Sequence, residues 1–87
     1  MKFRFAAHAE EEIARRGIPR EVVEAVLKEP EEKVPGYGGR RVYQSMHTFA
    51  DGRAFLVRVV VDERLSPRLV VTAYRTSKVV KYRRKRP

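Results

Sequence analysis

The sequence has no cysteine and no asparagine, and glutamine occurs once, as Gln44. Without a thiol the chain can build no disulfide framework, thiolate metal site, redox dithiol or cysteine nucleophile. Its two histidines, His8 and His47, stand far apart in sequence. No HExxH-like spacing gives them a third ligand, so neither a metal nor a cofactor is expected. The segment Gly36-Tyr37-Gly38-Gly39 lacks the spacing and the Lys-Ser/Thr ending of a phosphate-cradling P-loop. No apolar run approaches the roughly 18 residues that cross a bilayer. The opening residues Met1 to Phe5 have no apolar stretch of signal-peptide type. These absences lead us to expect a cytoplasmic protein without membrane contact.

Acidic residues are also scarce. The 87 residues carry 11 Asp+Glu against 20 Lys+Arg, a formal net charge of +9. Arginine supplies 14 of the 20 cations, a bias that a thermophilic or GC-rich source produces. At 43% hydrophobic the chain is rich enough to fold, so the excess marks a charged surface on a globule and not a disordered polycation. A chain of this length makes one small domain, expected over residues 1–82, followed by a flexible basic tail over 83–87. The charge is unevenly placed. Residues 1–33 hold seven basic and eight acidic side chains, net −1, whereas residues 34–87 hold thirteen and three, net +10.

The acidic-neutral part reads as a short strand and two helices. Phe3 and Phe5 alternate with charged residues, as on an edge strand. From Ala7 to Arg16, acids fall in the first turns and arginines in the last, which suits the helix dipole, and Gly17 is a natural stop. Pro19 opens a second helix whose Ile18, Val22, Val23, Val26 and Leu27 form one stripe, and Pro30 ends it. Residues 40–49, 53–62 and 68–76 are runs rich in β-branched and aromatic residues. Asp51-Gly52 between the first two signals a tight hairpin. A two-residue turn there pairs Thr48 with Phe55, Met46 with Val57, Gln44 with Val59 and Val42 with Val61 on a core face. The same turn puts Tyr43, Ser45 and His47 on the other face with Arg58. For the third strand, alternation alone leaves open whether the set of Leu69, Val71 and Ala73 or that of Val70, Thr72 and Tyr74 is buried. The expected fold is α+β, with two N-terminal helices on one face of a three- to four-stranded antiparallel sheet. Val79, Val80 and Tyr82 extend a last edge strand.

The run His8-Ala9, then Arg15-Arg16-Gly17-Ile18, then Val22 or Val23, Leu27 and Pro30, a Gly-rich loop, a strand ending Val60-Val61-Asp62, and Val71-Thr72-Ala73-Tyr74 resembles a family of small bacterial proteins of unassigned function. That family resembles in turn the RelE/ParE and barnase–colicin group of toxin folds. The resemblance covers about residues 4–82. It implies a RelE-like fold in which helices cover one sheet face and RNA lies on the other, with activities in the group ranging from messenger ribonuclease to none.

Several side chains are candidates for chemistry, each with a plainer alternative. His8, at a helix N-terminus, is a candidate general base for a metal-independent ribonuclease, or else packs at the strand-to-helix joint. Arg58 interrupts a valine strand and calls for an anion, from a protein carboxylate or from phosphate. Tyr74 is the third catalytic candidate, as a proton donor or a stacking platform. Tyr43 and Thr72 are candidate nucleic-acid contacts or ordinary strand residues. Arg15 and Arg16 suit a helix C-terminus, and Arg16 has Glu12 four residues before it. Arg75, Lys78, Lys81, Arg83 and Arg84 lengthen a basic footprint, as residues of a terminus that is otherwise simply solvated. The function expected is RNA-directed, on free RNA or the ribosome, with toxin-type endoribonuclease activity as its enzymatic form. The alternatives are a non-catalytic nucleic-acid-binding module, or an interaction module whose basic face is covered by an acidic antitoxin-like protein or which pairs with itself through a strand edge.

Overall fold

Helix α1 (Ala7–Arg15) ends where Gly17 takes φ +66°. There the Gly17 N–H bonds the Ala14 carbonyl and the Ile18 N–H bonds the Ile13 carbonyl. This pair closes the orphan carbonyls of the last turn, and Ile13 and Ile18 are both buried beside it. Pro19 then leads into α2 (Arg20–Lys28), whose Val22, Val23, Val26 and Leu27 are buried as the stripe requires. The structure, a computed structural model, describes residues 2–83.

Five strands make one sheet among these residues, in the order β1 (Phe3–Phe5), β5 (Arg68–Thr76), β4 (Ala54–Asp62), β3 (Arg41–Thr48) and β2 (Glu32–Pro35). A third helix, α3 (Val79–Tyr82), follows β5. The fold is therefore α+β as expected, but the sheet is mixed and not antiparallel throughout. β1 pairs with β5 in parallel, Phe3 opposite Arg68 and Phe5 opposite Val70. Three residues carry no local signal for strand direction. β2 was not expected at all: Glu32, Lys33 and Pro35 give it no alternation, and charge plus proline is what protects an outer strand from pairing further.

The β3–β4 register differs from expectation by one residue. Phe49 and Arg53 close the hairpin through Phe49 N–H to Arg53 O at 2.9 Å, so the loop has three residues, with Gly52 at φ +84°. This is the longer hairpin turn that ends in a left-handed glycine. Tyr43 thus pairs with Val59, and Gln44 with Arg58. One slip turns every β3 side chain over. Tyr43, with 1% exposure, joins the core with Val57, Val59 and Val61, while Gln44 moves to Arg58's face. On β5 a bulge interrupts the pairing, with Val60 opposite Thr72 and Val61 opposite Val70. Val70 and Ala73 are consequently both buried on the core side, which strict alternation forbids.

The buried cluster joins Ala9 and Ile13 of α1 and the α2 stripe to Tyr43, Val57, Val59, Val61, Val70 and Ala73. Beyond β1, where β5 has no strand neighbour on that side, the Arg16 guanidinium donates to the Ala73 carbonyl at 2.7 Å. It thereby satisfies an edge acceptor. None of the described helices is long and apolar enough to cross a membrane.

Candidate functional site

Arg58 sits mid-strand on the face turned away from α1 and α2. Its direct neighbours there are Gln44 on β3 and Tyr74 on β5. Leaving a guanidinium 8% exposed among valines costs several kcal/mol unless its donors are met. Here the partners are neutral: Nε donates to Gln44 Oε1 at 2.8 Å, and Nη1 donates to the Tyr74 hydroxyl. The Tyr82 ring lies 4.0 Å from the guanidinium carbon. Gln44, itself fully buried, uses its amide nitrogen to donate to Glu32 Oε1 at 2.8 Å and to the Tyr82 carbonyl at 3.1 Å.

Tyr82 reaches this position because the chain after β5 does not continue as an edge strand. Val79–Tyr82 instead form α3, and Arg83 pairs with Glu31 Oε1 at 2.9 Å and with Glu32 Oε1 at 3.5 Å. Arg83 is thus tied down, and Arg84 lies outside the described residues. The second face is accordingly part-covered, with Val34, Val42 and Leu56 buried on it.

Beside this cover lies a groove of about 620 Å³ lined by Tyr37, Arg40, Arg58, Tyr74, Lys81 and Tyr82, with Val42 and Val60 beneath. None of its lining residues is acidic. Tyr37 stands 95% exposed on the turn between β2 and β3. Arg40 closes that turn, its backbone N–H bonded to the Tyr37 carbonyl at 3.2 Å. The nearby Asp62 carboxylate, which also feels the charge of Arg40, is bonded by Arg64. Asp62 receives Arg64 Nε and Nη2, both at 2.9 Å, and this pairing holds its carboxyl down at about 2. Arg40 Nε is buried with no hydrogen-bond partner. A buried donor left unmet costs about 1–3 kcal/mol.

The other sequence candidates fall elsewhere. His8 is exposed on α1, and α1 packs on the opposite side of the sheet from Arg58 and Tyr74, so the catalytic trio does not converge. Tyr43 is withdrawn from any surface. It donates to Glu63 and accepts from Arg68 at 2.9 Å, and burial, with the Glu63 hydrogen bond, pushes its hydroxyl up to about 12. Glu63 also faces Lys33 at 3.8 Å and Arg41 at 3.7 Å; its hydrogen bond from Tyr43 keeps its carboxyl below the usual range. Arg15 and Arg16 both pair with Glu12, and Arg16 also reaches Thr72 Oγ1 at 3.4 Å. Arg75 lies over the Phe49 ring at 4.4 Å and the Phe55 ring at 4.8 Å. Lys78 is exposed before α3 and Lys81 is exposed at the groove.

Sequence reasoning missed Gln44, Tyr82, Arg40 and Tyr37 as parts of this site. For Gln44 a signal existed, since the single carboxamide of the chain falls inside a strand. The described residues contain no group of three His, Asp or Glu placed to hold a metal.

Comparison with curated proteins and with solved structures gives no match. Residues 5–75, most of the chain, match the family described as a domain of unknown function (DUF4258), and the chain belongs to that family.

Proposed function

We propose that this protein binds single-stranded RNA in the groove over Arg58. The observation that carries the reading is the lining itself: three cations and three tyrosines, with no carboxylate among them. Cations neutralise phosphates, and tyrosine rings offer stacking surfaces to unpaired bases. The RelE-like resemblance supports the same direction, since it too assigns RNA to the sheet face that the N-terminal helices leave free.

The test is fluorescence anisotropy of a labelled single-stranded RNA across a salt series. Binding should weaken with a log-log slope of roughly −0.7 for each phosphate neutralised. Lys81→Glu should weaken it about tenfold or more, and replacing a phosphate contact by a like charge should also shallow the slope. A salt-insensitive or absent interaction ends the proposal.

A second reading, toxin-type endoribonuclease, is favoured by one feature, the Arg58 guanidinium donating to the Tyr74 hydroxyl beside the groove. In that form Tyr74 handles the proton and the arginines stabilise the developing phosphate charge, without His8. Cleavage that survives His8→Ala and fails in Tyr74→Phe would support it. RNA left intact by wild type, free and on ribosomes, would remove it.

A further inference from the structure

The groove is bounded along β3, and this limits what it can hold. Past Gln44 the face meets Glu32, whose carboxylate receives the Gln44 amide, and then Glu31, whose Oε1 accepts the Met46 N–H at 3.1 Å. A polyanion running that way would meet the carboxylates of Glu31 and Glu32, which Arg83 bridges. At the other end the groove is lined by the turn carrying Tyr37 and Arg40. A volume of about 620 Å³ is of the size that holds a small ligand, and is short for an extended strand.

Within that space two features point to complementary parts of one ligand. The Arg40 side chain lines the groove, yet its Nε–H bonds nothing and Asp62 is occupied by Arg64. Its Nε donor is therefore open, and turning the side chain toward an acceptor in the groove would meet it. A phosphate is the acceptor that suits an arginine with a lysine on the same groove. Tyr37, almost wholly exposed on the same turn, presents a ring at the mouth with no packing to account for it. A base is the group that suits such a ring.

We infer that the groove binds one nucleoside monophosphate unit, its phosphate met by Arg40 and Lys81 and its base stacked on Tyr37. The inference rests on the groove being a nucleic-acid site and narrows it from a strand to a single nucleotide, either free or at the end of an RNA.

The experiment is calorimetric titration of the full chain with adenosine monophosphate, uridine monophosphate and inorganic phosphate, beside RNA oligonucleotides with and without a terminal phosphate. Both mononucleotides should bind one to one, and more tightly than phosphate alone. Tyr37→Ala should weaken the nucleotides about five- to hundredfold, the range of one lost stacking contact, and leave phosphate unchanged. Arg40→Gln should weaken both. Because Tyr37 touches so little, its variant keeps the test valid even where Arg40→Gln disturbs the turn. A terminal phosphate that tightens RNA binding identifies the strand end as the natural source, and equal affinity for both oligonucleotides with retained mononucleotide binding identifies the free nucleotide. RNA binding without mononucleotide binding, or nucleotide affinity unchanged in Tyr37→Ala, overturns this inference and leaves the RNA reading standing. Absence of both kinds of binding overturns the two together.

Discussion

The two faces of the sheet treat their cations differently. On the helix side, carboxylates gather cations in three places, although Arg75 lies over phenylalanine rings instead: Glu63 gathers Lys33, Arg41 and Arg68, Glu12 holds Arg15 and Arg16, and Arg20 lies between Glu10 and Glu24. On the groove side Arg64 and Arg83 also meet carboxylates, but inside the groove Arg58 meets an amide, a phenol and a ring, and Arg40 Nε meets nothing. A cation with a carboxylate beside it is electrically spent. One held by neutral dipoles keeps its field, and that field is available to a phosphate. The +9 of the whole chain thus says less than which cations lack acids.

The largest effect that tests this contrast lies in the neutral network. Gln44→Leu removes the acceptor for Arg58 Nε and the donor to Glu32 and Tyr82 in one step. It should cost about 3 kcal/mol in urea or thermal unfolding, as buried polar groups lose their partners. Arg58→Met should cost less, since it strands only the Gln44 oxygen and the Tyr74 hydroxyl. The double variant should be more stable than the sum of the two predicts, by about 1–3 kcal/mol, because an apolar pair replaces an unmet charge. By contrast, Glu63→Gln on the helix side, where the ion pairs are partly solvated, should cost about 1 kcal/mol or less. Equal costs on the two faces would dissolve the distinction.

That network also shows how much of the molecule its sequence discloses. The helices were legible because their signals are local: an apolar stripe, the acid-to-base polarity of α1, and Gly17 placed where a left-handed residue is needed. Arg58 was legible as an anomaly on a valine strand, and its strand faces were read correctly. What surrounds it was not. Asp51-Gly52 admits both a two-residue and a three-residue turn, and the choice between them decides whether Tyr43 or Gln44 stands next to Arg58. The bulge that buries both Val70 and Ala73 leaves no mark in an alternating run. α3 crosses the second face because Arg83 finds Glu31 and Glu32, fifty residues earlier in the chain, and no local pattern encodes such a meeting. His8 is a candidate from its place at a helix N-terminus and from the resemblance, neither of which fixes the sheet face it shares, and the sheet lies between it and Arg58 and Tyr74.

The next effect is read by pH. Tyr43 is held neutral in the fold, first by burial and then by its bond to Glu63, so its contribution is present below its ordinary pKa of 10.0 and is lost as pH rises toward about 12. Phenolate absorbance should show one of the four tyrosines ionising late, with unfolding close behind. On the acid side, Asp62 is depressed from 3.8 to about 2, so its contribution is present above about 4 and is lost as pH falls toward 2; Glu63, also lowered, acts in the same direction. Asp62→Asn should flatten the acid limb of the melting curve, and a mutant whose acid limb matches wild type would remove Asp62 from this account.

The smallest effect separates two adjacent arginines that look alike in the sequence. Arg15 is largely exposed and pairs with Glu12, so Arg15→Ala should change stability by less than about 0.5 kcal/mol. Arg16 also closes the Ala73 carbonyl on the stretch of β5 that β1 leaves uncovered. Arg16→Ala therefore unmasks an edge acceptor and should cost about 1 kcal/mol, with faster hydrogen exchange confined to that stretch of β5. Neither change should alter RNA affinity beyond the general loss of one charge, because both arginines are already paired with Glu12 on the side away from the groove. If Arg16→Ala abolished RNA binding while leaving the fold intact, the helix side would become the nucleic-acid face, and the contrast between the two faces would have to be drawn the other way round.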